Sequence, residues 1–174
     1  MGRRITLVLL SFLLASGAAA CKEAPSVSST TSTTVANVLF NPCVGIPDDA
    51  VRAAGVDPET EESGIGGVHQ SGWEICSWDG PKYSITVYST GRTVAEFESK
   101  PGNVEFRDVT VADRKGRQFK VEGASKNLDC NMLVPASQGV VQLAVMNLAG
   151  QDNLEDPCVI LYRVSESIVP ALPR

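Results

Sequence analysis

Apolar and polar positions follow three different rhythms along this 174-residue chain. The first is a continuous apolar run over residues 5–14, preceded by Arg3 and Arg4 and followed by Ala18-Ala19-Ala20. A basic start, a short apolar stretch and small residues at a cleavage point have the layout of a secretory signal. The run is well short of the ~20 apolar residues that a bilayer-spanning helix needs. Residues 1–20 are therefore expected to be removed on export.

The second rhythm has period two, the spacing of strands. Residues 73–78 and 83–88 alternate apolar with polar side chains, and Asp79-Gly80-Pro81 breaks between them, which predicts an antiparallel hairpin. Residues 104–111 and 118–122 read as strands flanking a turn at Asp113-Arg114-Lys115-Gly116, and residues 129–134 and 140–147 as a pair across 135–139. The third rhythm is helical. Pro47, Asp48 and Asp49 suit a first turn and Gly55 a stop, while Thr93 with Glu96 suits a capping box on a short helix over 93–99. After Asp156-Pro157-Cys158, the residues Ile160, Leu161, Val164 and Ile168 fall on one helical face. Helices interspersed with hairpins, rather than strictly alternating with strands, predict an α+β fold: a mostly antiparallel sheet packed with a few short helices.

Between the leader and this pattern the composition changes. From Ser26 to Thr34 every residue except Val27 is Ser or Thr, so the segment has almost nothing to bury. Residues 21–38 are expected to be a tether, holding the domain on the order of 20 to 25 Å from its start by random-coil statistics. Residues 39–174 are then one globular domain. Within it, residues 57–72 are Gly-rich and polar. Glu59, Glu61 and Glu62 there bring a cation site to mind, but no fixed ligand spacing accompanies them and the segment reads as a solvated loop.

Five cysteines sharpen the picture. Cys21 follows the small residues directly and looks like the acylated Cys of a bacterial lipobox; Ala18, where such motifs usually carry Leu, also suits ordinary cleavage. Lipid on Cys21 would anchor the chain to the extracytoplasmic face of the cell membrane. The remaining Cys43, Cys76, Cys130 and Cys158 are an even set in an exported chain, for which two disulfides are expected. Three pairings are open, and the spacing favours Cys43 with Cys76 and Cys130 with Cys158, each tying a helix start to a strand. The formal charge is −5, and loss of Arg3 and Arg4 leaves about −7, which disfavours nucleic acid as a partner.

Candidate chemistry is sparse. His69 is the only histidine; Ser71, Ser77 and Asp79 are its conceivable hydrolase companions, but no nucleophile motif surrounds them. No metal-ligand spacing and no phosphate loop is present, so no cofactor, metal or catalytic residue is assigned. A hydrolase using acidic residues stays as a remote alternative, since only spatial separation identifies a working carboxylate pair. Arg114-Lys115-Gly116-Arg117 reads as a solvated hairpin tip. Trp73 and Trp78 stand five apart and must face opposite sides of a strand; one is expected in the core on a disulfide, the other to line a cleft.

Phe40-Asn41-Pro42-Cys43, the Pro-Asp-Asp-Ala helix ending in Ala54-Gly55-Val56-Asp57-Pro58, and Cys76-Ser77-Trp78 together resemble the DUF3558 family of actinobacterial lipoproteins. The resemblance runs from about Phe40 to Ile168. It implies an exported lipoprotein and a fold type, and carries over no catalytic residue. The expectation is a non-enzymatic binding or interaction domain with a protein or small-molecule partner. The alternative is a small-molecule or lipid carrier with an internal pocket.

Overall fold

The computed structural model describes residues 38–123, 125–150 and 154–174. The expected signal, Cys21 and the Ser/Thr-rich tether lie outside these residues.

The chain forms helices α1 (Pro42–Gly45) and α2 (Asp48–Ala53), then strands β1 (Glu62–Ser63), β2 (Trp73–Asp79) and β3 (Tyr83–Thr90). Helix α3 (Val94–Glu98) leads to strands β4 (Asn103–Val111), β5 (Arg114–Val121), β6 (Asp129–Ala136) and β7 (Gly139–Asn147), and α4 (Pro157–Ile168) follows. The strands make one antiparallel sheet in the order β1-β2-β3-β7-β6-β5-β4. The chain therefore leaves β3 in the middle, crosses to the far edge and returns strand by strand until β7 pairs with β3. α3 lies in that crossing, which is why a short helix packs on the sheet there.

Each sheet face has its own core. On one face Cys76, Trp78, Ile85, Val87, Met132, Leu143 and Val145 pack with Val51 of α2 and with Ile160, Leu161, Val164 and Ile168 of α4. These four α4 residues are the ones the helical spacing picks out. On the other face Phe97 of α3 packs with Phe119, Leu133 and Val140, and Trp73, Val94 and Phe106 lean on them. The strand parity separates Trp78 from Trp73 as expected: Trp78 is 1% exposed in the first core, and Trp73 is partly exposed beside the second.

Two disulfides fasten the helices of the first face. Cys43 in α1 joins Cys76 in β2, and Cys130 in β6 joins Cys158 in the first turn of α4. Their sequence separations of 33 and 28 correspond to roughly 3 to 4 kcal/mol each in the chain-entropy account. Capping is as the sequence suggests at α3, and the structure adds a cap at α4. Thr93 and Glu96 form a reciprocal capping box on α3, and the Asp156 carboxylate accepts from the Cys158 N–H at 2.7 Å.

Four local expectations need correction. The β4–β5 turn is Ala112-Asp113, both residues at positive φ (46° and 62°), the two-residue geometry that matches the twist of the paired strands. Arg114, Lys115, Gly116 and Arg117 consequently belong to β5 rather than to a hairpin tip. Strand β6 continues through Pro135 and Ala136, because β5 pairs only with Asn131, Met132 and Leu133 and the missing Pro135 N–H interrupts no ladder. Helix α2 starts at Asp48, with Pro47 as its extended N-cap. Finally, residues 57–72 are not all loop: Glu62 and Ser63 pair with Ser77 and Cys76, and Ile65 bridges Val68.

Candidate functional site

Alternation along the strands decides which side chains reach the face opposite α4. On β2 these are Trp73 and Ile75, since Cys76 and Trp78 point into the first core. Register then places Thr90 opposite Trp73 and Tyr88 opposite Ile75 on β3, with Val140 and Gln142 beside them on β7. The result is a patch with an aromatic end. Trp73 meets Tyr88 and Phe97 edge to face, with ring centroids 6.2 Å apart in both pairs. Phe97 continues to Phe119, which stacks on Phe106 at 5.2 Å.

Two adjoining concavities open over this patch. One, of about 330 Å3, lies between Trp73, Phe97, Arg92, Glu96 and Lys100. The other, of about 390 Å3, has Ile75, Tyr88 and Gln142 among its lining residues and reaches Ile65 in the β1–β2 loop. They share Trp73, Phe97 and Lys100, so they lie side by side between α3 and the β1–β2 loop, which form the banks of the groove. Both volumes fall in the range of small-molecule sites.

The polar group on the groove floor is held from the side, by a neighbour on β6. Gln142 donates to the Asn131 side-chain oxygen at 2.8 Å, and Asn131 donates to Asp129 Oδ2 at 2.9 Å. This leaves the Gln142 carbonyl oxygen as an acceptor in the groove lining. At the far end of the row Asp129 is only 6% exposed, and its Oδ1 has no hydrogen-bond partner. Burial pushes the Asp129 carboxyl above its ordinary value, against the opposing hydrogen bond from Asn131. Burial likewise pushes the Tyr88 phenol up, partly offset by a hydrogen bond with Thr86. On the rim, hydrogen bonds from the Thr93 N–H and hydroxyl hold the Glu96 carboxyl below its usual range.

Of the two tryptophans considered for a cleft, Trp73 lines the groove and Trp78 is core. Alternation supplied their opposite orientations; it did not supply Tyr88, Phe97, Lys100 and Gln142, whose assembly depends on the β2–β3–β7 register and on where α3 crosses. The other candidates are scattered. His69 is exposed in the β1–β2 loop, and among the described residues no hydrogen bond joins it to Ser71, Ser77 or Asp79. Cys43, Glu61 and Cys76 lie close together, but both sulfurs are spent in a disulfide and offer no thiolate to a metal. Arg117 is held by Glu98 at 2.7 Å and Asp108 at 3.0 Å, with its guanidinium over Phe106. Arg114 donates to the carbonyls of Leu172 and Pro135. The basic run thus fastens elements together.

The motifs that identify this chain also meet in space, since the Asn41-Pro42-Cys43 cap and Cys76-Ser77-Trp78 are joined by one disulfide. Residues 15–171 match the family described as Protein of unknown function (DUF3558). The chain belongs to the DUF3558 family. No curated protein and no solved structure matches it. In this DUF3558 domain the disulfide-linked motifs occupy the α4 side of the sheet, so they fasten the scaffold while the groove lies on the opposite face.

Proposed function

We propose that this DUF3558 protein is exported, anchored by lipid on Cys21 to the extracytoplasmic face of the cell membrane, and binds a ligand through the groove at Trp73 without transforming it. The basic start, the apolar run, the small residues before Cys21 and the Ser/Thr-rich segment support the address. Two disulfides are compatible with an oxidising compartment.

The observation that carries the binding role is a partly exposed Trp73 set against Tyr88 and Phe97 at the mouth of two adjoining concavities. Aromatic walls with a few anchored polar groups are the usual make-up of a ligand site. The groove opens to the surface on the sheet face away from α4, which favours a binding surface over a carrier with an enclosed cavity.

Two measurements test this reading. Mass spectrometry of the native N-terminus should show acyl chains on Cys21, and Cys21→Ser should release the protein or leave an unprocessed precursor; an unmodified Cys21 at the mature N-terminus would refute the anchor. A ligand screen read by melting temperature should give hits through preferential binding to the native state. Those hits should vanish in Trp73→Leu; hits indifferent to that change would place binding elsewhere.

A further inference from the structure

The charges around the groove are not balanced. Lys100 lines both concavities and, among the described residues, has no carboxylate partner. Arg92 sits beside it, 3.7 Å from Glu96. Glu96 is already engaged by Thr93, which donates to the same carboxylate from its N–H at 2.7 Å and its hydroxyl at 2.9 Å. An acidic chain of formal charge −5 thus presents a net positive rim at its aromatic groove.

We propose that the groove takes a small planar ligand with one negative charge, of the aromatic carboxylate class. The inference rests on the groove being the binding surface, and adds the chemistry of its occupant. Trp73, Phe97 and Ile75 supply flat and apolar walls, and each of the two adjoining volumes gives room for a two-ring body. Lys100 faces the carboxylate from the α3 bank, with Arg92 as a second cation. The Gln142 carbonyl oxygen, its amide fixed through Asn131, accepts from any N–H or O–H that the ring system carries. A cationic ligand would meet two cations, Lys100 and Arg92, against the single carboxylate of Glu96.

The test uses naphthalene-1-acetate and its neutral analogue naphthalene-1-acetamide, titrated calorimetrically into the full chain with both disulfides formed. The acetate should bind about fivefold tighter than the amide, the scale of one solvent-exposed ionic contact, and raised salt should shrink the difference. Lys100→Gln, at an exposed position, should remove the preference by bringing the affinity for the acetate down to that for the amide. Trp73→Leu should weaken both compounds. Equal affinities, unaltered by Lys100→Gln while Trp73→Leu still weakens both, would overturn the anionic inference and leave the groove standing. Binding of neither compound, or binding untouched by Trp73→Leu, would overturn both.

Discussion

The Tyr83 hydroxyl in β3 donates to the carbonyl of Ala54, at the end of α2, over 2.7 Å. This bond links the N-terminal helices to the centre of the sheet. It also explains Gly55, which follows the helix at φ 81° with a would-be Cβ only 2.5 Å from that hydroxyl. Glycine here satisfies both a left-handed helix stop and a close approach.

Tyr83→Phe removes the donor and leaves a buried carbonyl unpaired, for an expected loss of about 1 to 2 kcal/mol. Gly55→Ala should lose more, through positive φ and the clash together. In the Tyr83→Phe background the nearest remaining atom is the ring carbon at 3.5 Å, an ordinary contact. Gly55→Ala should therefore be milder there, and a double-mutant cycle by chemical denaturation should show non-additivity. Strict additivity would mean that the hydroxyl does not constrain position 55.

The disulfide between Cys130 and Cys158 closes a separation of 28 residues and holds the first turn of α4 on β6. Replacing both cysteines with Ala should lower stability by about 3 to 4 kcal/mol. The groove lies on the other face, so affinity for a groove ligand in the folded variant should match the parent's. A stability change below about 1 kcal/mol would show that apolar packing of α4 alone fixes that helix.

Much of this architecture is legible from local pattern. The alternation over residues 73–78, the α4 stripe and the Thr93–Glu96 box each depend on neighbours a few residues away, and each is found. The β4–β5 turn was not legible, because Ala112 and Asp113 take left-handed conformations with no glycine to announce them. The bulge at Glu105, with φ 57°, is similarly silent, although it accompanies the placement of Phe106 on Phe119. The groove was half legible: one of the two tryptophans had to face away from the core. Its remaining walls come from β3, β7 and α3, whose meeting is a property of the strand order, and strand order leaves no local trace.

The capping box is the part of α3 most exposed to a simple test. Thr93→Ala removes the acceptor for the Glu96 N–H and the hydroxyl that donates to the Glu96 carboxylate, leaving only the backbone N–H of position 93 on that carboxylate, which should lower stability by about 1 kcal/mol. Because α3 forms one bank of the groove, affinity for a groove ligand should fall as well. Thr93→Ser keeps the hydroxyl and should restore both stability and affinity. Loss of affinity in the Ser variant would instead assign the effect to the threonine methyl group.

Asp129 gives the fold a predictable response to pH. Its carboxyl is raised above the ordinary 3.8, chiefly by burial, so the folded chain holds this proton more tightly than the unfolded one. The sign follows from linkage: the contribution to stability is full below the unfolded value and is lost as pH rises through the folded one. Above that point the buried charge, with Oδ1 unpartnered, is a fixed liability. Asp129→Asn can still accept from Asn131 and cannot ionise. Melting curves of the two proteins should therefore diverge as pH rises from about 3 toward neutrality, always in favour of the variant relative to their difference at low pH. Parallel curves across that range would mean that Asp129 ionises in the folded state as freely as in the unfolded chain.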